Sequence, residues 1–274
     1  SDLHDELQYL EKFKEKIIQN KPYDAVFFAG DLTSRYGSRK KKTNQPQTQL
    51  EVQKTFFNQL FGITQSICYY VLGNHEKAEE LFEDENTKYV GDKIINFHDF
   101  QLIGLNGSDH SVVCSEEFGA VMSGYPYKPD DEENFYVQHL NEVNFLKEEV
   151  TKEKLLKFTE QLIIDFEPNN QYLVAKELFL QLNKKCIVLS HQGLKDSMST
   201  YFKHPNIYKL ALTGSLAYSK IKQEYNDQIL YWIHGHTHHY VTQQDDNVIN
   251  TGVMIVGGIS ILDIEENNLQ RVFI

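Results

Sequence analysis

Residues 25–31 read Ala25-Val26-Phe27-Phe28-Ala29-Gly30-Asp31, five apolar residues running into a glycine and a lone carboxylate. A short unbroken apolar run, rather than an alternating one, is the pattern of a strand buried on both faces, as in a parallel sheet. The arrangement recurs three times. Ile67 to Leu72 runs into Gly73-Asn74-His75-Glu76, Cys186 to Leu189 into Ser190-His191, and Ile229 to Ile233 into His234-Gly235-His236-Thr237-His238. A fifth polar cluster, Asp2-Leu3-His4, has the look of a loop that follows a strand, although no strand precedes it. The expectation is that the sequence starts partway into a natural chain. Open α/β sheets place their sites at the carboxyl ends of their strands, where four of these clusters fall.

Between the runs the periodicity changes. Residues 5–20 carry Leu7, Leu10, Phe13, Ile17 and Ile18 at helical spacing, and residues 48–61 carry Leu50, Val52, Phe56, Phe57 and Leu60. Residues 34–47 are polar, basic and contain Gly and Pro, so they read as a loop. Short strands are expected near 93–97 and 101–105, and an irregular stretch over 108–133. Residues 134–183 read as mostly helical and broken at Pro168, and a further helix is expected within 205–224. From residue 240 onward, runs separated by Asp245-Asp246-Asn247, Gly257-Gly258 and Glu265-Glu266-Asn267 read as antiparallel strands. The order β-α-β-α-β, an excursion, then β-α-β and a β-rich tail predicts an α/β layered sandwich. With no internal repeat or linker, residues 1–274 are expected to form a single domain, with a lid or insertion at 108–183.

The bulk composition narrows the function. At 41% hydrophobic and 24% charged, the chain has a globular composition, and no apolar run approaches a membrane-spanning length. A net charge of −12 argues against a broad nucleic-acid surface or an anionic-membrane surface. It leaves room for a small anionic substrate, because bound divalent cations would invert the local field. Cys68, Cys114 and Cys186 are too few and too far apart for a disulfide framework or a thiolate zinc site, which favours a reducing, cytoplasmic location.

Together the clusters hold two carboxylates (Asp2, Asp31), one amide oxygen (Asn74) and four imidazoles (His4, His191, His236, His238), with His75 in addition. Hard-to-borderline O and N donors of this kind suit Mn, Fe, Zn or Ni. Two cations held together need a bridging ligand. Asp31, standing alone after its run, is the best candidate for that role. The spacings Asp-x-His and His-x-His predict extended segments whose alternate side chains face one pocket.

In this order and spacing the motifs Asp-x-His (Asp2, His4), Gly-Asp (Gly30, Asp31), Gly-Asn-His-Glu (Gly73 to Glu76), Ser-His (Ser190, His191) and Gly-His-Thr-His (Gly235 to His238) resemble those of the calcineurin-like metallophosphoesterases. The resemblance covers nearly the whole chain. It implies a four-layer α/β/β/α sandwich with mixed sheets and a pair of divalent metal ions. One ion would be held by Asp2, His4, Asp31 and His238, the other by Asp31, Asn74, His191 and His236. It further implies that a hydroxide bridging the metals attacks phosphorus. His75 would stay off the metals, contact phosphate and protonate the leaving group, with Asn74 and Arg35 also facing the substrate. The run Gly30-Asp31-Leu32-Thr33-Ser34-Arg35 has Ser34 where the serine/threonine phosphatase branch has a further Asp, so protein phosphatase activity is not expected. Asp-x-His in place of Asp-x-Gly argues against the purple acid branch. The expected activity is hydrolysis of a small phosphomonoester or phosphodiester, nucleotides included. The alternatives are a nuclease-type phosphodiesterase and a non-catalytic scaffold of the same fold. Oligomeric state is left open.

Other features carry less. His234 is expected to orient a ligand residue, and His239 to sit at the rim. His98, His110, His139 and His204 read as surface residues. The run Arg39-Lys40-Lys41-Lys42 reads as a solvated loop before a substrate guide. Phe118, Tyr125, Tyr127 and Tyr136 fit either a stacking lid or an anchored surface loop, and Asn106-Gly107-Ser108 matches a glycosylation acceptor.

Overall fold

The computed structural model describes residues 1–4, 6–33, 48–76, 78–97, 99–106, 151–204, 209–237, 247–252, 254, 258–266 and 268–273, together with the backbone of 112–115 and 119–122. Two sheets stack face to face. The first is parallel, in the order β1 (Val26–Ala29), β2 (Cys68–Val71), β3 (Thr87–Tyr89). The second runs β12 (Val248–Asn250), β11 (Ile229–His234), β8 (Cys186–Ser190), β5 (Phe100–Leu105), β4 (Lys93–Phe97). Its pairings are parallel except for the antiparallel β4–β5 edge. The result is an α/β sandwich with one parallel and one mixed sheet.

Side-chain alternation along the buried strands assigns the layers. Phe28 joins Leu10, Phe13 and Ile17 of α1 (Gln8–Gln19) and Val52, Phe56, Phe57 and Leu60 of α2 (Gln49–Thr64) in one cluster on the outer face of the first sheet. Its neighbour Ala29 points the other way, into a second cluster with Val71, Leu102, Ile187, Leu189, Ile233 and Ile249. That cluster fills the space between the sheets. On the far side, Ile103, Cys186, Val188 and Trp232 meet Tyr172, Ala175, Phe179, Ala217 and Ile221 in a third cluster. These come from α4 (Asn170–Leu180) and α5 (Leu216–Tyr225), while α3 (Lys152–Ile164) precedes them. Three apolar interfaces separate four layers, helix, sheet, sheet and helix.

Local chemistry sets the element ends. Thr48 and Glu51 form a reciprocal capping box at the start of α2, and Thr151, Asn169 and Ser215 cap α3, α4 and α5. Phe28 lies 5.1 Å from the Phe56 ring and 6.1 Å from Phe57, and burying each such ring is worth about 1.5–3 kcal/mol.

Two expectations need correction, and a third is borne out over part of its range. The stretch 108–133 is not wholly irregular, because β6 (Val112–Ser115) and β7 (Gly119–Met122) form an antiparallel hairpin within it. The helix expected within 205–224 is present as Leu216–Tyr225, in the second half of that stretch. Lys209–Leu212 instead forms strand β10, paired antiparallel to β9 (Tyr201–His204), where neighbour pairing overrides a weak helical pattern. The tail is only partly antiparallel. Strands β13 (Gly258–Asp263) and β14 (Asn268–Phe273) pair that way, but β12 lies parallel to β11 as a further strand of the second sheet.

The interior cluster also explains where the site forms. Ala29, Val71, Leu189 and Ile233 sit at or near the carboxyl ends of β1, β2, β8 and β11 and pack together. The polar residues that follow each strand therefore emerge on one rim of the sandwich.

Candidate metal centre

Two glycines let the loops on that rim touch. A Cβ at Gly30 would stand 2.6 Å from the Gly73 nitrogen and 2.9 Å from His191 Nδ1, and a Cβ at Gly73 would stand 2.0 Å from Asp31 Oδ1. Neither position admits a side chain, and Gly30 also has φ +78°.

The ligand candidates occupy unusual backbone. Asp2 (φ 56°), His4 (φ 49°), Asp31 (φ 56°) and His236 (φ 65°) are all left-handed. The extended geometry expected for Asp-x-His and His-x-His is thus not adopted. Tight turns replace it because they let the backbone close on itself. The amides of Leu3 and His4 both donate to the Asp31 carbonyl, at 2.8 and 3.2 Å, and the Asp2 amide donates to the Gly30 carbonyl at 2.9 Å. Left-handed non-glycine residues cost on the order of 1–3 kcal/mol each and cluster at functional sites.

Four donor atoms converge. His191 Nε2 lies 2.9 Å from Asn74 Oδ1 and 3.3 Å from Asp31 Oδ2; His236 Nδ1 lies 3.2 Å from Asn74 Oδ1 and 3.1 Å from His191 Nε2. Ligands bound at 2.0–2.2 Å around one cation stand about 3.0–3.4 Å apart, so these spacings match the edges of a coordination shell. The tautomer agrees. His191 Nδ1 faces the Ala29 carbonyl at 2.8 Å, so in the neutral ring Nδ1–H donates there and the Nε2 lone pair faces the oxygens of Asn74 and Asp31. Only a cation or a proton satisfies that arrangement.

Asp31 belongs to two groups of possible metal-holding residues, Asp2–Asp31–His191 and His4–Asp31–His75. Asp2 Oδ2 accepts from the Ser1 hydroxyl and from the His236 amide, the latter at 3.2 Å, which ties the first loop to the last. Burial alone would raise the Asp31 carboxyl, but the imidazoles of His191, His75 and His4 hold it well below the usual carboxylate range. Burial would likewise lower His191, yet the Asp31 carboxylate pushes it up to about 9. Both shifts mark a pocket that attracts positive charge.

His75 differs from the other imidazoles. Its amide donates to Asp31 Oδ1 at 3.0 Å and its ring meets His4 edge-on at 4.8 Å. Its side chain is 20% exposed, whereas His191 is fully buried. His234, expected to orient a ligand residue, is buried and bonded through Nε2 to the Ser199 hydroxyl at 2.7 Å and through Nδ1 to the Gly235 carbonyl at 2.9 Å. Arg35, residues 39–42, His98, His110, Phe118, Tyr125, Tyr127, Tyr136, His139, His238 and His239 lie outside the described residues, as does the side chain of His204. Asn106 is committed internally. Its side chain accepts from the Leu72 amide at 3.3 Å and donates to Tyr89 and Asp92, which does not suit a glycan acceptor.

Sequence reasoning placed Glu76 in a motif but gave it no role. It is buried, and its carboxyl is pushed up to about 7 by burial and by the neighbouring Asp31 carboxylate. An acid beside a glycine turn in a predicted ligand loop was the available signal.

The model of one family, described as calcineurin-like phosphoesterase, matches residues 1–240. This chain belongs to the calcineurin-like phosphoesterase family. The family implies metal-dependent phosphoester hydrolysis with a pair of divalent cations, and the donor set above fits such ions. No curated protein matches the chain. Solved structures share the fold at low identity. TT1561 of Thermus thermophilus is 16% identical with a TM-score of 0.51, covering 99% of this chain and 95% of that one. A second solved structure is 14% identical with a TM-score of 0.55, covering 99% and 96%. Among the described residues, no helix is long and apolar enough to cross a membrane.

Proposed function

We propose that this calcineurin-like phosphoesterase hydrolyses a small phosphomonoester or phosphodiester with two divalent cations. The observation that carries the reading is the Asp31 carboxylate, shared between two donor groups at the meeting point of the strand ends. Asp31, Asn74, His191 and His236 would hold one ion. Asp31 with Asp2, His4 and His238 would hold the other, His238 being assigned from its motif alone. When bound, the ions would supply Lewis acidity, activating water and neutralising phosphoryl charge.

The chain's own groups do the rest. Asp31 and His191 are buried, so their share of the ligand shell would lie away from bulk solvent. His75, partly exposed and anchored through its amide to Asp31, would contact a phosphoryl oxygen and give a proton to the leaving alkoxide. Arg35, four residues after Asp31, is assigned a phosphate contact.

The test is hydrolysis of p-nitrophenyl phosphate and bis-p-nitrophenyl phosphate by metal-stripped protein, with and without Mn²⁺. Turnover restored by the metal is expected, and the ratio of the two rates gives the monoester or diester preference. Two bound ions with no turnover of any phosphoester would indicate a scaffold, and failure to bind metal would overturn the reading.

A further inference from the structure

Glu76 takes no part in the ligand set, yet its carboxylate accepts from four backbone amides at the rim. Its Oε2 accepts from the amides of Asp31 at 3.0 Å and Gly73 at 2.6 Å, and its Oε1 from Thr33 at 3.0 Å and from Leu32. Three of those donors are consecutive residues of the turn after β1, and the fourth belongs to the turn after β2. The left-handed backbone of Gly30 and Asp31 aims these successive N–H groups at one point. Such a concavity binds an anion, and here the anion is the protein's own side chain.

The exchange runs both ways. The turn after β2 sends Glu76 into the amides of the turn after β1. That turn in return sends Asp31 Oδ1 to the amide of His75, at 3.0 Å. Two carboxylates are thus traded between the two loops, each satisfying the other's backbone. The loops carry Asp31, Asn74 and His75, so the exchange sets how far the shared carboxylate stands from the Asn74 oxygen and from the His75 ring.

We propose that Glu76 is a positioning residue that fixes the spacing of the two metal positions by clamping the Asp31 turn onto the Asn74–His75 turn. The proposal rests on the two-cation reading above. Glu76 contacts no reacting group, and its effect passes through Asp31 and Asn74. In Glu76→Gln one oxygen becomes an NH₂ that faces backbone donors, so the exchange is broken while the side-chain shape is kept. Glu76→Asp keeps the charge but is one methylene too short to reach all four amides.

The experiment is Mn²⁺ titration of metal-stripped wild type, Glu76→Gln and Glu76→Asp. The readouts are calorimetry, the exchange-coupled dimanganese signal in electron paramagnetic resonance, and kcat and KM on p-nitrophenyl phosphate. Leu60→Ala, which removes a buried side chain between α2 and the first sheet, is the control for lost stability alone. The expected result for Glu76→Gln is an ion pair weakened by about 10–100-fold with an altered coupled signal, and kcat falling far more than KM rises. Glu76→Asp should be intermediate, and Leu60→Ala should melt earlier with an unchanged signal. If Glu76→Gln does not fold, Glu76→Asp decides by the same readouts. A wild-type signal retained in the Glu76 variants, or a change matched by Leu60→Ala, overturns the assignment of Glu76 alone. A wild type that takes up no ion pair overturns the metal reading and this proposal with it.

Discussion

His191 Nε2 and His236 Nδ1 stand 3.1 Å apart, and both lie within 3.2 Å of the Asn74 amide oxygen. Three electron-pair donors from three separate loops are held at the spacing of a coordination shell. Without a cation, a ring N–H has to lie between these atoms, either on His236 Nδ1 or on a protonated His191, and a cation would replace it. Mn²⁺ should therefore stabilise the folded state, by about 2.7 kcal/mol at a hundredfold excess over its Kd, a melting shift on the order of 5 °C. His191→Ala and Asn74→Ala should abolish most of that shift. Differential scanning calorimetry with and without Mn²⁺ checks it, and an equal shift in the variants would place the ion elsewhere.

His75 sits at the lip of the same cluster, partly exposed where His191 is not. If it protonates the leaving group, His75→Ala should cost about 10²–10⁴-fold on alkyl phosphates and far less on p-nitrophenyl phosphate, whose leaving group needs no proton. Metal content should remain close to wild type. An equal loss on both substrates, or loss of the ions, would assign His75 to the ligand shell.

The two turns touch through glycine, so Gly73→Ala should destroy the site, its Cβ falling 2.0 Å from Asp31 Oδ1. Gly62 provides the contrast. It lies within α2, and a Cβ added there would meet no atom within 4 Å, so Gly62→Ala should stabilise the fold by about 0.5–1 kcal/mol. Urea unfolding of both variants, with Mn²⁺ binding measured in parallel, tests the pair.

Burial pushes the Cys186 thiol from its ordinary 9.0 up to about 12, and Cys68 further in the same direction. A folded value above the unfolded one contributes stability that is fully present below about pH 9 and is lost as pH rises through about 12. Stability should therefore decline between pH 9 and 11 by up to about 1.4 kcal/mol per pH unit for each such group, and a Cys68→Ala/Cys186→Ala variant should decline less steeply. At pH 8 neither thiol should react with a disulfide reagent until urea is added. Peptide mapping of the labelled protein would show this, and rapid native labelling of either would contradict the burial.

Much of this was legible in the chain. The apolar runs ending at Asp31, Asn74 and His191, and the run leading to His236, announced buried parallel strands, because a strand covered on both faces has no polar side to alternate with. Their polar ends announced a site at one rim. Where patterns were short or neighbours decided, the sequence said less. Lys209–Leu212 is a strand because Tyr201–His204 lies beside it, and Val248–Asn250 runs parallel because β11 offers an open edge.

The sequence by itself determined which residue types reach the rim and in what order, since motif spacing and apolar periodicity are local properties. Only the tertiary structure decided that Asp2, His4, Asp31 and His236 sit in left-handed turns and that Glu76 holds two loops by their amides. Those facts depend on backbone groups far apart in sequence, such as the amides of residues 31–33 and the carboxylate of residue 76. No periodicity encodes a contact that exists only once the strands have stacked.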